Sequence, residues 1–277
     1  TTTTFIHAIL TASGEKAGMV STVAAVIGDR QLDTGLHTTT PDALDMQEYL
    51  DEMVAAGSAY AVLETTSHGL HQKRVDACEF DMGVITNITH EHLDYHGTFE
   101  NYREAKATLF RMLSTTARKP GMPKIAVLNA DDPSYGYLRA IPADRHISYA
   151  LDAAADVTAT DIIESAGAQR FTAHTPGGRF AVHIALPGRY NVANALAAIG
   201  AAVALGLPVA AIQQGLASVI SRRRGEGSSF QVGELLVDHL VTAGRLAPLE
   251  RLLLGDGPYV DAAEPDLRAG ELDIPGE

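Results

Sequence analysis

Between Glu64 and Phe110 the chain gathers a carboxylate directly after an apolar run (Glu64), five histidines (His68, His71, His90, His92 and His96), Asp94 and Lys106. Three of the histidines, His90, His92 and His96, fall within seven positions. A carboxylate and an imidazole brought to one place offer oxygen and nitrogen donors to a divalent cation. Structural zinc usually adds cysteines at set spacing, and Cys78 is the single cysteine, so the His-x-His-x-x-x-His run is a weak case for zinc. Taken one at a time these residues have a plainer reading, with Glu64 capping a turn and the histidines solvated in loops. Their clustering favours chemistry.

The elements that must position them are legible on either side. Tyr60 to Leu63 and Met82 to Ile85 are short apolar runs with β-branched residues, each followed by polar ones, as buried parallel strands are. Ligands of open α/β sheets sit beyond the carboxyl ends of such strands. Glu64 is expected to leave the first strand and Thr86-Asn87 the second, so both meet at one crevice. Ile125 to Leu128 reads as another buried strand, and Asn129, Asp131 and Asp132 behind it read as a turn before Pro133, with no role assigned. Thr40 is expected to cap a helix with Pro41 at its first position and Met46, Tyr49, Leu50 and Met53 on one apolar face. From His146 to about Ala185, runs such as Phe171–His174 and Phe180–Ile184 alternate with Gly, Pro and Asp and predict an antiparallel β-section appended to the parallel core. An Ala-rich helical stretch opens after Leu186-Pro187-Gly188.

Three runs together closely resemble the Mur ligase family, in particular its UDP-N-acetylmuramoyl-tripeptide synthetase type. Glu64-Thr65-Thr66-Ser67-His68-Gly69-Leu70-His71-Gln72-Lys73-Arg74 follows the pattern E-x-S-S-H-x-L-x-Q-x-R. Thr86-Asn87-Ile88-Thr89-His90-Glu91-His92-Leu93-Asp94-Tyr95-His96-Gly97 follows T-N-L-x-x-D-H-L-D-Y-H-G, and Ala105-Lys106-Ala107-Thr108-Leu109-Phe110 follows A-K-x-x-L-F. Thr66, Ile88 and Glu91 replace serine, leucine and aspartate, and each keeps the chemical type. The resemblance implies ATP-dependent amide formation on a peptidoglycan precursor. A γ-phosphoryl group passes to a substrate carboxylate, and the amine of an amino acid attacks the acyl phosphate. It further implies that Glu64 and His92 bind Mg²⁺ and that Lys106 is carbamoylated beside the metal. Thr39, Thr40, Thr66, Gln72 and Arg74 would contact the UDP-muramoyl-dipeptide, and Asn87, Asn191 and Asn194 the nucleotide. The opening Thr1-Thr2-Thr3-Thr4 resembles the end of a phosphate-binding loop G-x-x-x-x-G-K-[ST], so the chain is expected to begin inside that loop. Thr1 and Thr2 then fall to the nucleotide, Thr1 through a bound Mg²⁺.

Composition sets the outer bounds. At 277 residues and 46 % hydrophobic there is room for one large domain plus a fragment of another. One cysteine excludes an internal disulfide framework. The apolar stretch from Ala195 to Ile212 is broken by Gly206-Leu207-Pro208, as suits a soluble helix, and the first residues show no signal peptide. A cytoplasmic monomer without membrane insertion is expected. Net charge is −13, and residues 225–277 hold eleven Asp/Glu against three Arg. No basic stripe suits a phosphate backbone, so nucleic-acid binding is not expected. After Ile220 the resemblance fades, with Leu236-Val237-Asp238-His239 a faint echo of a strand that opens the family's C-terminal domain. The resulting expectation is an α/β fold with a mostly parallel sheet of P-loop ATPase type flanked by helices and a small added antiparallel section. Residues 1–222 form the central ATPase domain and 223–277 a non-matching tail. A catalytically inactive substrate-binding relic and another Mur or folylpolyglutamate-type ligase stay open, as does the amino acid added, diaminopimelate or lysine.

Overall fold

The computed structural model describes residues 1–32, 39–89, 92–220 and 240–245. In chain order they form α1 (Thr2–Ala12), β1 (Ala17–Val20), β2 (Ala25–Ile27), β3 (Arg30–Leu32), α2 (Ala43–Ala55), β4 (Tyr60–Thr65), α3 (Ser67–His71), β5 (Met82–Ile85), α4 (Leu93–His96) and α5 (Phe99–Thr115). There follow β6 (Ile125–Asn129), α6 (Tyr135–Arg139), β7 (Arg145–Ala150), β8 (Val157–Ser165), β9 (Ala168–Thr175), β10 (Gly178–Ile184), α7 (Arg189–Ala204), α8 (Val209–Ser218) and β11 (Leu240–Arg245).

The strands make one sheet in the order β10-β9-β8-β7-β6-β5-β11-β4-β1-β2-β3. Strand β11 runs antiparallel to both of its neighbours, β4 and β5, so those two share a direction. Six strands, β1, β4, β5, β6, β7 and β8, therefore point the same way, as do the outermost β3 and β10, while β2, β9 and β11 run against them. Successive side chains of the parallel strands enter two cores. Val62, Val84 and Val127 pack with Phe5, Ile9, Leu196, Ile199 and Leu216 of α1, α7 and α8. Leu63, Ile85 and Leu128 pack with Met46, Met53, Tyr102 and Phe110 of α2 and α5. Burial on both faces is why these strands read as unbroken apolar runs.

Several expectations need correction. Glu64 does not leave its strand, because β11 continues the pairing past it, with Val241 opposite Glu64 and Leu240 opposite Thr65. Helix α2 starts two residues later than expected, with Asp42 at its N-cap, since the Thr40 hydroxyl is taken by the backbone N–H of Thr66 at 2.9 Å. The antiparallel section does not begin at His146. Strand β7 is parallel to β6, because the crossover through α6 returns the chain in the same direction, and within residues 146–185 the antiparallel pairing is confined to β8, β9 and β10. That section also continues the main sheet instead of forming its own.

The interruption at residues 206–208 is as expected, with α7 ending at Ala204 and α8 starting at Val209. Among the described residues no helix is long and apolar enough to cross a membrane. The chain divides into a compact unit Thr1–Ala247 and a second, Pro248–Glu277, that lies outside the described residues. Asp238 and His239 also lie outside them.

Candidate functional site

Glu64 enters the carboxyl end of β4 almost wholly out of water, at 4 % exposure. An ionised carboxylate tolerates this only when its oxygens are engaged. Thr22, two residues beyond β1, engages both: its hydroxyl donates to Oε1 at 3.1 Å and its backbone N–H to Oε2 at 3.3 Å. Parallel pairing of β1 with β4, Val20 level with Leu63, makes the meeting possible. Across β11, Glu64 is level with Val84, a lateral distance of about 10 Å at two interstrand spacings. Glu64 and the loop after β5 thus border the same end of the sheet.

Beside Glu64, three of the expected substrate residues interlock. Thr66 caps α3, its Oγ1 accepting from Gly69 N at 3.0 Å, while its own N–H donates to Thr40 Oγ1. The two hydroxyls lie 3.1 Å apart, and Arg74 donates to the Thr40 carbonyl at 2.8 Å. A Cβ on Gly69 would lie 2.7–2.9 Å from the Thr40 side chain, so the contact depends on glycine. Thr39 is half-buried next to Thr40. Gln72 stands apart from this group, exposed and donating to Tyr95 Oη at 3.3 Å.

The loop after β5 is held by two residues of the turn before Pro133, Asn129 and Asp132, and by Tyr149 of β7. Asn129 and Tyr149 both donate to the Thr86 carbonyl, at 2.7 and 3.1 Å, and Asp132 accepts from Ile88 N at 2.5 Å. Burial, with Asp132 and Asp131 adding to it, raises the Tyr149 phenol well above its usual range and keeps it a donor. Between the clamped residues sits Asn87, whose Oδ1 is buried with no hydrogen-bond partner and whose carbonyl accepts from Lys106 Nζ at 3.2 Å. Lys106 is fully buried on α5, its Nζ 4.9 Å from the centre of the Tyr102 ring.

His92 is the exposed N-cap of α4 with φ 56°, in the left-handed region. Its ring makes an edge contact with His68 at 4.9 Å and lies 6.1 Å from Tyr102, so it shares the Tyr102 ring with Lys106. His96 is buried against the Ser67 hydroxyl at 3.0 Å. Burial first, then His68, His71, His92 and Lys106, pushes its pKa down to about 4. His68 is lowered by burial and then by His92. His90 lies outside the described residues. Among those described, no three His, Cys, Asp or Glu side chains group to hold a metal. A cation here would draw on Glu64, one imidazole and hydroxyl or carbonyl oxygens, a set that suits a hard Mg²⁺-type ion and not zinc. The orphaned Asn87 Oδ1 fits the same preference for oxygen donors.

The first backbone N–H groups of α1 have no partner within the helix, and a helix N-terminus is the end that favours anions. Thr1 is its exposed N-cap. Thr2 donates to Asn194 Oδ1 at 3.1 Å, Asn194 to Asn191 Oδ1 at 3.4 Å, and Asn191 to the Pro187 carbonyl at 2.7 Å. Four residues separated by up to 192 positions thus form one polar chain linking α1 and α7. Thr22 and Tyr149 were not singled out from sequence, and Asn129 and Asp132 were read only as part of a turn. Their one signal is a polar residue at the carboxyl end of a parallel strand, which turns also produce.

Comparison with known proteins bears on this arrangement. The Mur ligase middle domain family matches residues 1–202. The UDP-N-acetylmuramoyl-L-alanyl-D-glutamate–2,6-diaminopimelate ligase of Geobacillus thermodenitrificans is 41 % identical over 219 residues, covering 79 % of this chain and 44 % of the relative. The UDP-N-acetylmuramyl-tripeptide synthetase of a Roseiflexus species is 40 % identical over 266 residues, covering 91 % of this chain and 52 % of the relative. That match takes in part of the stretch after residue 222. A solved diaminopimelate ligase structure superposes with a TM-score of 0.67 at 31 % identity, over 80 % of this chain and 45 % of that one. A crystal structure of MurF from Acinetobacter baumannii, at 22 % identity and a TM-score of 0.60, shares the fold. The chain spans about half the length of the curated relatives it matches.

Proposed function

The chain belongs to the Mur ligase family, and on that premise we propose that it is the nucleotide- and precursor-handling part of an ATP-dependent amide ligase of peptidoglycan synthesis. The substrates are UDP-N-acetylmuramoyl-L-alanyl-D-glutamate and diaminopimelate or lysine. Residues 1–222 are the central domain in this reading. Residues 223–277 are a distinct tail, of which β11 returns to the sheet. A cytoplasmic location, where ATP is supplied, and a monomeric state complete the proposal.

The observation that carries the reading is the burial of Lys106 against the Asn87 loop, in a helix that packs on β5. An ammonium group buried beside a metal ligand would repel a cation. As a carbamate the same side chain becomes an anion that attracts one, so Lys106 is assigned that form. Glu64 and His92, with carbamoylated Lys106, would hold Mg²⁺, and the Thr1 hydroxyl would hold a nucleotide-bound Mg²⁺. Mg²⁺ supplies charge neutralisation on the transferring phosphoryl group. Thr2, Asn87, Asn191 and Asn194 would bind the nucleotide, and the N–H groups of α1 would face its phosphates. Thr39, Thr40, Thr66 and Gln72 would orient the muramoyl-dipeptide, and Arg74 would give its anionic groups fixed donors.

ADP release with MgATP, UDP-muramoyl-dipeptide and diaminopimelate or lysine, measured on this chain joined to the flanking segments of a full-length relative, is the test. Release that requires the dipeptide and the amino acid together is the expected result. A second reading, a substrate-binding relic without turnover, keeps only the interlocked contacts of Thr40, Thr66 and Arg74. Tight binding of UDP-muramoyl-dipeptide in a calorimeter with no ADP release would establish it. Neither binding nor release would overturn both.

A further inference from the structure

Thr22 lies outside all the residues assigned above, yet it hydrogen-bonds both oxygens of the candidate metal ligand. Its place is fixed by the turn that ends β1. Ser21, 3 % exposed, donates its backbone N–H to the Ala24 carbonyl at 2.9 Å and its hydroxyl to the same oxygen at 3.1 Å. Ala24 N–H returns a bond to Ser21 Oγ at 3.3 Å. The closed turn leaves Thr22 little freedom and points both of its donors at Glu64.

One donor meets each carboxylate oxygen, Oγ1 at Oε1 and N at Oε2. A single hydrogen bond would let the carboxylate rotate about its last bond, whereas two donors from one rigid residue set its plane. A carboxylate has about four acceptor positions, so this grip is compatible with a cation on the same group. Groups that orient a metal ligand in this way tune its affinity by about 10–100-fold.

We propose that Thr22 is a positioning residue that presents the Glu64 carboxylate to the divalent cation. The inference rests on the assignment of Glu64 as a Mg²⁺ ligand. The backbone N–H survives any ordinary substitution, so the hydroxyl is the part that mutation removes. Thr22→Ser keeps it, Thr22→Val replaces it with a methyl group of similar size, and Thr22→Ala removes it without adding bulk.

Mn²⁺, added to the full chain without nucleotide and followed by its electron paramagnetic resonance signal, reports affinity directly. Circular dichroism and thermal unfolding of each metal-free variant report folding. Expected results are Mn²⁺ binding by the parent chain, a loss of about 10-fold or more for Thr22→Val and Thr22→Ala, recovery to within about 3-fold for Thr22→Ser, and loss for Glu64→Gln. Should Thr22→Val fail to fold, Thr22→Ala decides. Hydroxyl-free variants that bind Mn²⁺ like the parent, while Glu64→Gln does not, overturn the role of Thr22 and leave the metal assignment standing. Lower melting temperatures with unchanged affinity have the same meaning, a purely structural threonine. A parent chain that binds no Mn²⁺, or a Glu64→Gln chain that binds as well as the parent, overturns the metal assignment and this inference with it.

Discussion

Two residues carry sharp consequences through their burial. Lys106 is fully buried with its Nζ on the Asn87 carbonyl, and its proposed carbamate should give a carbonyl resonance when the chain is equilibrated with ¹³C-bicarbonate. The Lys106→Arg chain, whose guanidinium stays protonated, should lack that resonance. The same spectrum from both chains would remove the assignment. His96 offers a pH experiment. Its folded pKa is about 4 against 6.5 for an unfolded histidine, so the unfolded chain binds the proton first. Its contribution is complete above about pH 6.5 and is lost as pH falls toward 4. Urea unfolding at pH 7 and pH 5 should show this loss, and His96→Asn should have a flatter profile than the parent. Parallel profiles would show that the ring stays hydrated in solution.

Elements meet at backbone distance where α8 crosses α1. A Cβ on Gly215 would lie 2.5 Å from Ile9 Cα and 2.6 Å from Ile9 N, atoms that no rotamer change can move aside. Gly215→Ala should therefore lower stability by about 3 kcal/mol, the upper end for overpacking, or shift α1 along the sheet. A shift would displace Thr2 from Asn194 at the end of α1, so weaker ATP binding should accompany the loss of stability. Calorimetry of ATP binding and chemical unfolding on the same variant separate the two effects. An alanine variant as stable as the parent would mean that α1 and α8 do not pack this closely. Nothing in the sequence joined Gly215 to Ile9, which are 206 positions apart.

At the scale of the whole molecule, the sheet closes around a strand from the end of the chain. Strand β11 pairs with all of Tyr60–Thr65 on one side and with Met82–Ile85 on the other, antiparallel between strands that run together. A proline within a strand flanked on both sides removes a donor the ladder uses. Thr242→Pro should cost about 3 kcal/mol or more, a fall in melting temperature of about 6–12 °C for a body of this size. The unit Thr1–Ala247 also predicts that limited proteolysis leaves a core still containing 240–245. A protected core ending near residue 222, with Thr242→Pro melting like the parent, would show that the six parallel strands hold together without β11.

The sequence by itself determined the parallel strands β4, β5 and β6, the break at residues 206–208 and the family, because a strand buried on both faces must be apolar throughout and because the motif runs are local. Strand β5 runs from Met82 to Ile85, as read, and Lys106 lies on the helix expected for its A-K-x-x-L-F run. Tertiary structure alone decided which polar residues act on one another. That Thr22 grips Glu64, that Asn129, Asp132 and Tyr149 clamp the loop around Asn87, and that Thr2 reaches Asn194 all depend on side chains 42 to 192 positions apart. A serine, asparagine or aspartate after a strand is equally consistent with a turn, and local pattern cannot separate the two. Strand pairing decides it, because register is a property of the sheet and places Val20 beside Leu63, and so Thr22 beside Glu64.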